Sequence, residues 1–210
     1  MSMTILYELG ENLYINLTNR CSCRCVFCLR NNADHVQDTD NLWLEHEPSV
    51  EEVLSEAENF RLEQYQEVVF CGYGEPTERL DDLLVIAKIL KQRHPWLITR
   101  INTNGLSDLR FQEDTAKRMA GIIDKVSISL NASNPEHYLE LTRNIFGIHS
   151  YDSLLLFAQH CREYGIDVRF SIVDLLPEQE IAECKQISDN LSIPLLIRTF
   201  EPNQQERTAN

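Results

Sequence analysis

Short runs of β-branched and aliphatic residues alternate with longer amphipathic stretches along most of the chain. The apolar runs predict strands at residues 12–17, 67–71, 98–102, 125–130, 167–173 and 194–200. The amphipathic stretches predict helices at residues 50–64, 79–93, 112–119, 151–164 and 178–191. Ser49 and Glu52 have the spacing of a capping box at the first helix, and Pro135 favours a shorter helix that begins after Asn134.

Strand and helix alternate five times before a sixth strand, which indicates a parallel sheet joined by helical crossovers. Six strands are too few to close an eight-stranded barrel. We therefore predict an α/β fold, an open (β/α)6 partial TIM barrel with its helices on the outside. Residues 1–210 are expected to form a single domain, with a short lead-in strand at 4–9 and an inserted loop at 29–48.

Charge and hydropathy exclude several classes of function. The chain has 210 residues and a formal net charge of −14, which argues against a protein that grips nucleic acid or an anionic membrane through cationic side chains. Its longest apolar runs are a handful of residues, far below the ~20 needed to cross a bilayer. No secretory signal is visible at the N-terminus, so we expect a cytoplasmic protein.

Four of the seven cysteines fall within eight residues: Cys21, Cys23, Cys25 and Cys28. Thiolates suit zinc or an iron–sulfur cluster, and Cys25 with Cys28 also has the spacing of a redox dithiol. Zinc sites usually draw on a second, separated ligand pair, which this sequence lacks. Three cysteines on a four-iron cluster would leave one iron open to activate a ligand.

The pattern Cys21, Cys25, Cys28, with Phe27 before the last cysteine, resembles the radical S-adenosylmethionine (radical SAM) superfamily. In that family three thiolates hold a [4Fe–4S] cluster, and the fourth iron binds S-adenosylmethionine. An electron from the cluster splits this molecule into methionine and a 5′-deoxyadenosyl radical, which abstracts hydrogen from a substrate. The resemblance covers roughly residues 12–200 and implies that both cofactors bind here.

Further motifs at the predicted strand ends extend the resemblance. Residues 72–76 resemble the family's GGEP-type motif, which implies that Gly74, Glu75 and Pro76 bind the cofactor. The other implied cofactor contacts are Asn104, Ser129, Asn131 and Arg143. Each has a plainer alternative: Glu75 as a solvated turn acid, Asn104 as part of a turn, and Arg143 as a surface partner of Glu140.

The compact layout looks most like the small radical SAM proteins associated with TatD-family hydrolases. This implies an unknown substrate, a small electron donor of the flavodoxin or ferredoxin type, and a TatD-family hydrolase as a possible partner. A glycyl-radical-enzyme activase and a 7-carboxy-7-deazaguanine-synthase-like enzyme are the alternatives within the superfamily. A non-catalytic iron–sulfur or zinc module is the alternative outside it.

Three local expectations follow from the same motifs. The loop at 29–48 is expected to border the substrate opening as a lid anchored by Trp43. Cys23 is expected not to bind the cluster and, if the chain is extended there, to point away from Cys21 and Cys25. Arginines that flank the motifs are expected to hold the methionine carboxylate or an anionic substrate; they are Arg20, Arg24, Arg30 and Arg143.

Overall fold

A computed structural model describes residues 3–31 and 41–200 of the chain. Its centre is a seven-stranded sheet whose spatial order is also the order of the strands along the chain. The strands are β1 Leu6–Leu9, β2 Asn12–Ile15, β3 Glu67–Phe70, β4 Thr99–Thr103, β5 Lys125–Ser129, β6 Asp167–Val173 and β7 Leu195–Arg198. β1 pairs with β2 antiparallel, and every later pair is parallel.

The strand order confirms the predicted partial barrel. Each new parallel strand is added on the same side of the previous one, so right-handed crossovers place the helices on one face of the sheet. A doubly wound sheet would reverse its order at a switch point, and this sheet does not. The helices are α1 Val50–Ala57, α2 Leu80–Arg93, α3 Ser107–Phe111, α4 Thr115–Met119, α5 Pro135–Thr142, α6 Ser150–Glu163 and α7 Glu178–Leu191.

The two faces of the sheet differ in polarity, as β5 illustrates. Val126 and Ile128 belong to the hydrophobic core beneath the helices, whereas Lys125, Ser127 and Ser129 alternate with them and face the opposite side. The concave interior is therefore polar, and the apolar core lies between the sheet and its helices.

The predicted capping box forms, whereas the predicted length of the first helix is wrong. The capping box forms, with Ser49 N donating to Glu52 at 2.8 Å and Glu52 N donating to Ser49 at 3.1 Å. The predicted helix at 50–64 was too long, because α1 ends at Ala57 and residues 62–64 form a separate 3₁₀ turn.

The predicted helix at 112–119 is the shorter α4, Thr115–Met119, and a further short helix that was not predicted, α3, precedes it at Ser107–Phe111. Gln112 lies in the left-handed region at φ 56°, which ends α3, and Asp114 caps the start of α4. None of the helices in the described ranges is long and apolar enough to cross a membrane.

Candidate metal and cofactor site

The cysteine segment leaves the carboxyl end of β2 and lies against the end of α5. Arg24 N donates to the Thr142 carbonyl at 2.8 Å, and Val26 N donates to the Leu141 carbonyl at 2.9 Å. These bonds use carbonyls at the carboxyl end of α5, where the last turn leaves them without intrahelical donors. The segment is thereby held at the edge of the sheet where parallel α/β folds place their active sites.

Cys23 does not point away from its neighbours, so that expectation was wrong. Its thiol is 3% exposed and lies within hydrogen-bonding reach of Cys21 and Cys25. The backbone is folded here rather than extended, as the 3.4 Å bond from Cys23 N to Cys21 Sγ shows. Hydrogen bonds that the Cys23 thiol donates to those two sulfurs, together with burial, raise the pKa of Cys23, and the bond from Cys23 lowers the pKa of Cys25.

The spacing of the sulfurs does not suit a single zinc ion. Around one tetrahedral zinc with Zn–S bonds of about 2.3 Å, sulfurs are about 3.8 Å apart. Within residues 3–31 and 41–200, no three cysteine sulfurs all lie within 4.8 Å of one another. Cys21, Cys25 and Cys28, all partly exposed, are therefore not gathered as the ligands of one zinc ion would be.

Gly74 allows the loop after β3 to pack directly against the cysteine segment. A Cβ at this position would lie 2.2 Å from the Thr18 carbonyl oxygen and 2.6 Å from that of Arg20. The next residue, Glu75, donates its backbone N–H to the Arg20 carbonyl at 2.7 Å. Glycine is therefore required here by backbone contact.

Glu75 is 5% exposed and links the loops after β3 and β4. One carboxylate oxygen accepts from Thr77 N at 3.1 Å and from the Thr77 and Thr103 hydroxyls at 2.7 Å each, and the other accepts from Asn104 N at 2.7 Å. Burial raises the pKa of Glu75 despite these bonds. It is a buried cross-link rather than a solvated turn acid, and Pro76 beside it begins a 3₁₀ turn.

Asn104 reaches the cysteine segment from the end of β4. Its side-chain amide donates to Ser22 Oγ at 3.2 Å and lies 3.5 Å from Cys23 Sγ. Asn104 is therefore more than a turn former, since its side chain connects two loops that lie 81 residues apart in the chain.

Ser129 and Asn131 lie at the carboxyl end of β5. Ser129 is partly exposed on the interior face. Asn131 is 4% exposed, adopts a left-handed conformation at φ 60°, and has a buried side-chain oxygen without a hydrogen-bond donor. Buried polar atoms normally have partners, so this oxygen is available to a bound molecule.

Arg143 and Phe27 occupy the rim of the site. Arg143 terminates α5 in a left-handed conformation, and its exposed side chain forms no ion pair with Glu140 or with any other described residue. Phe27 is partly exposed between the second and third predicted cluster cysteines.

Among the other flanking arginines, Arg20 pairs with Glu47 at 2.6 Å. Arg30 donates to the Cys23 carbonyl at 3.3 Å.

Tyr138 of α5 was not anticipated from the sequence. It is fully buried, and its hydroxyl has no hydrogen-bond partner among the described residues. Burial, and then the nearby cysteines, raise the pKa of Tyr138. A tyrosine on the buried face of an amphipathic helix is ordinary core material, so no sequence signal distinguished it.

Residues 32–40 of the predicted lid lie outside the described residues, but the end of this loop is well packed. Asn19 exchanges two hydrogen bonds with the backbone of Leu44, at 2.8 and 3.1 Å. Trp43 packs edge-on against Tyr73 of the loop after β3, with ring centroids 5.2 Å apart. The predicted anchor therefore contacts the candidate site.

Comparison with known proteins gives a consistent result. The family model described as the radical SAM superfamily matches residues 15–191. A GTP 3′,8-cyclase of Limosilactobacillus fermentum is 28% identical over 83% of this chain and 58% of its own length, and one of Lactiplantibacillus plantarum is 30% identical over 67% and 41%. The chain thus spans between about a third and three fifths of the curated relatives it matches.

Solved structures resemble the fold at lower sequence identity. Native anSMEcpe with bound AdoMet has a TM-score of 0.64 at 14% identity, over 90% of this chain and 51% of that one. HydG, a maturase of the [FeFe]-hydrogenase, has a TM-score of 0.65 at 16% identity, over 92% and 43%. Identities this low carry only the architecture of the partial barrel.

Proposed function

Because this chain belongs to the radical SAM superfamily, we propose that Cys21, Cys25 and Cys28 hold the cluster at which it reductively cleaves S-adenosylmethionine. The protein is a radical SAM enzyme, and its cofactors are a [4Fe–4S] cluster and S-adenosylmethionine. When bound, they supply a 5′-deoxyadenosyl radical for hydrogen abstraction once an external donor has provided one electron.

The observation that carries the residue assignment is the fixation of the cysteine segment from three sides. Glu75 N bonds the Arg20 carbonyl, Asn104 reaches Cys23, and carbonyls at the end of α5 accept from Arg24 and Val26. A segment held this firmly can keep three sulfurs in place without the metal. Within the described residues no three cysteine sulfurs lie within 4.8 Å of one another, which argues against a single zinc ion.

The cofactor contacts are part of the same proposal. Asn131 is the best supported, since its buried oxygen lacks a donor and S-adenosylmethionine offers ribose hydroxyls and an ammonium group. The remaining proposed contacts are Phe27, Gly74, Glu75, Pro76, Asn104, Ser129 and Arg143. Glu75 already accepts four hydrogen bonds, so its main contribution is to position the loop backbone that faces the cofactor.

The proposed electron donor and partner protein are those that the sequence resemblance implies. A flavodoxin or ferredoxin supplies the electron, and a TatD-family hydrolase is the associated protein. We propose a cytoplasmic setting, as expected from the sequence. A glycyl-radical activase or a 7-carboxy-7-deazaguanine-synthase-like enzyme would begin with the same reductive cleavage of S-adenosylmethionine.

The test is iron content and 5′-deoxyadenosine formation after anaerobic reconstitution and reduction. Wild type is expected to bind about four irons per chain and to form 5′-deoxyadenosine. Cys21→Ala, Cys25→Ala and Cys28→Ala should each lose both, whereas Cys23→Ala should keep both. Cys184→Ala, on α7, is the matched control. A colourless Cys23→Ala beside an active Cys21→Ala would overturn the ligand assignment.

A further inference from the structure

Three arginines lie on strands β4, β6 and β7 and face the barrel interior; we call Arg100, Arg169 and Arg198 the interior arginines. Ile101 of β4 and Phe170 of β6 belong to the core beneath the helices, so the adjacent Arg100 and Arg169 point to the other face. Arg198 is in register with Val173, which shares a face with Arg169. A chain with a formal charge of −14 thus concentrates positive charge inside its barrel.

The Glu67 carboxylate on this face is already engaged, whereas the nearby Asp167 carboxylate is exposed and forms no ion pair with any described residue. Glu67 pairs with Arg100 at 2.5 Å and with Lys125 at 2.9 Å. Burial alone would raise the pKa of Glu67, but the bonds from these two cations lower it. Arg100 also bonds Asn102 at 2.5 Å, so its guanidinium is well satisfied.

The other two interior arginines form no ion pair with a carboxylate of any described residue. Arg169 donates to the Ser127 hydroxyl at 3.0 Å, which is a neutral acceptor. Arg198 has no hydrogen bond or ion pair from its side chain to any residue in 3–31 or 41–200. Burial, and then the like charge of Arg100, lowers the pKa of Arg169, and burial lowers that of Arg198. The interior is open here, since Arg169 is partly exposed and Arg198 is exposed, so both cations are available to an anion from solution.

The interior has room for an anion beside these groups. A cavity of about 100 Å³ is lined by Glu67, Arg100, Lys125, Val126, Asp167 and Arg169. Arg198 stands at the carboxyl end of β7, close enough to Cys25 and Cys71 for its charge to act on both thiols. Arg169 at this cavity and Arg198 near the cysteine segment therefore carry positive charge that no ion pair within residues 3–31 or 41–200 neutralises.

We propose that Arg169 and Arg198 bind an anionic oxygen group of the substrate, a phosphate or a carboxylate, inside the barrel. The inference rests on the proposed function, because it assigns the substrate class of the same site. Guanidinium groups bind both kinds of oxyanion through charge-assisted hydrogen bonds. Binding there would place the rest of the substrate within the interior, towards the cysteine segment.

The test measures anion binding to reconstituted holoenzyme by calorimetry, without reductant and with saturating S-adenosylmethionine. The cofactor's own carboxylate then occupies its site and does not compete. Pyrophosphate and malonate are the two probes, and they distinguish a phosphorylated substrate from a carboxylate. Binding of either probe to wild type is expected, with about ten-fold or greater weakening in Arg169→Gln and Arg198→Gln. Arg61→Gln, an exposed arginine that loses the same charge, should bind as wild type does.

Two results would overturn the inference: wild type binds neither probe, or both arginine variants bind as tightly as wild type does. Because Arg198 lies at the end of an edge strand, Arg198→Gln keeps the test decisive if Arg169→Gln does not fold. 5′-Deoxyadenosine formation by the same wild-type preparation reports separately on the proposed function. Anion binding without that product would contradict only the proposed function.

Discussion

At the scale of single residues, the candidate site is marked by polar atoms whose hydrogen-bonding capacity is not used within the protein. The Asn131 oxygen and the Tyr138 hydroxyl are both buried and have no hydrogen-bond partner in residues 3–31 or 41–200. Such atoms cost about 1–3 kcal/mol each if they stay unpaired. Two of them beside the strand ends that carry the cofactor motifs indicate that the fold retains them for a bound group.

The substitution Tyr138→Phe tests whether the buried Tyr138 hydroxyl destabilises the apoprotein. Without the cluster, removing a buried hydroxyl that has no partner should leave the free energy of unfolding unchanged or raise it by about 1 kcal/mol. Tyr151→Phe is the matched control, since its hydroxyl donates to the Ala132 carbonyl at 3.2 Å and its loss should cost about 1 kcal/mol. Denaturant unfolding of both apoproteins gives the comparison, and equal destabilisation would contradict the assignment.

Gly74→Ala tests whether the loop after β3 supports the cysteine segment. The new methyl group would meet backbone oxygens of Thr18 and Arg20, which cannot move aside as a side chain can. We expect the variant to fold but to bind clearly less iron on reconstitution.

Gly121→Ala is the control for that substitution. Gly121 has φ 72°, and an added methyl group there would have nothing within 4 Å, so the substitution carries backbone strain of about 1 kcal/mol without a clash. Full iron loading in Gly74→Ala would show that the close contact is dispensable.

At the scale of secondary-structure elements, period-2 patterns and local caps were sufficient to predict most of the sheet and several helix starts. Ser49 and Asn134 cap the helices that their sequence context indicates. The end of α3 at Gln112 was not predictable, because a glutamine in the left-handed conformation depends on tertiary contacts. The orientation of Cys23 failed for a similar reason, since bonds to α5 fold the segment that was assumed to be extended.

The Glu67 ion pairs join strands β3, β4 and β5 and make a pH prediction. Because the pKa of Glu67 is lowered in the folded state, its stabilising contribution is present above the unfolded carboxyl pKa of about 4.3. That contribution is lost as the pH falls through the lower, folded-state pKa. Glu67→Gln should therefore lower the melting temperature at pH 7, and its difference from wild type should shrink as the pH falls below about 4. A constant difference across this range would contradict the sign.

At the scale of the whole molecule, the constant direction in which successive strands are added to the sheet explains where the candidate site lies. Sequential parallel strands bring the loops after β2, β3, β4 and β5 to one edge, where they carry Cys23, Glu75, Asn104 and Asn131. The same winding turns one face of each strand inward, which places Arg169 and Arg198 behind those loops. This edge was predictable because the sequence motifs follow predicted strands. The positive charge of the interior could be recognised only from the strand register.

The most direct test of the account is the electron paramagnetic resonance spectrum of the reduced cluster with and without S-adenosylmethionine. Three cysteine ligands leave one iron open, so the spectrum should change when S-adenosylmethionine binds, in wild type and in Cys23→Ala alike. A [4Fe–4S] signal that is insensitive to S-adenosylmethionine in wild type but becomes sensitive in Cys23→Ala would show that Cys23 closes the fourth iron, and would contradict the central claim.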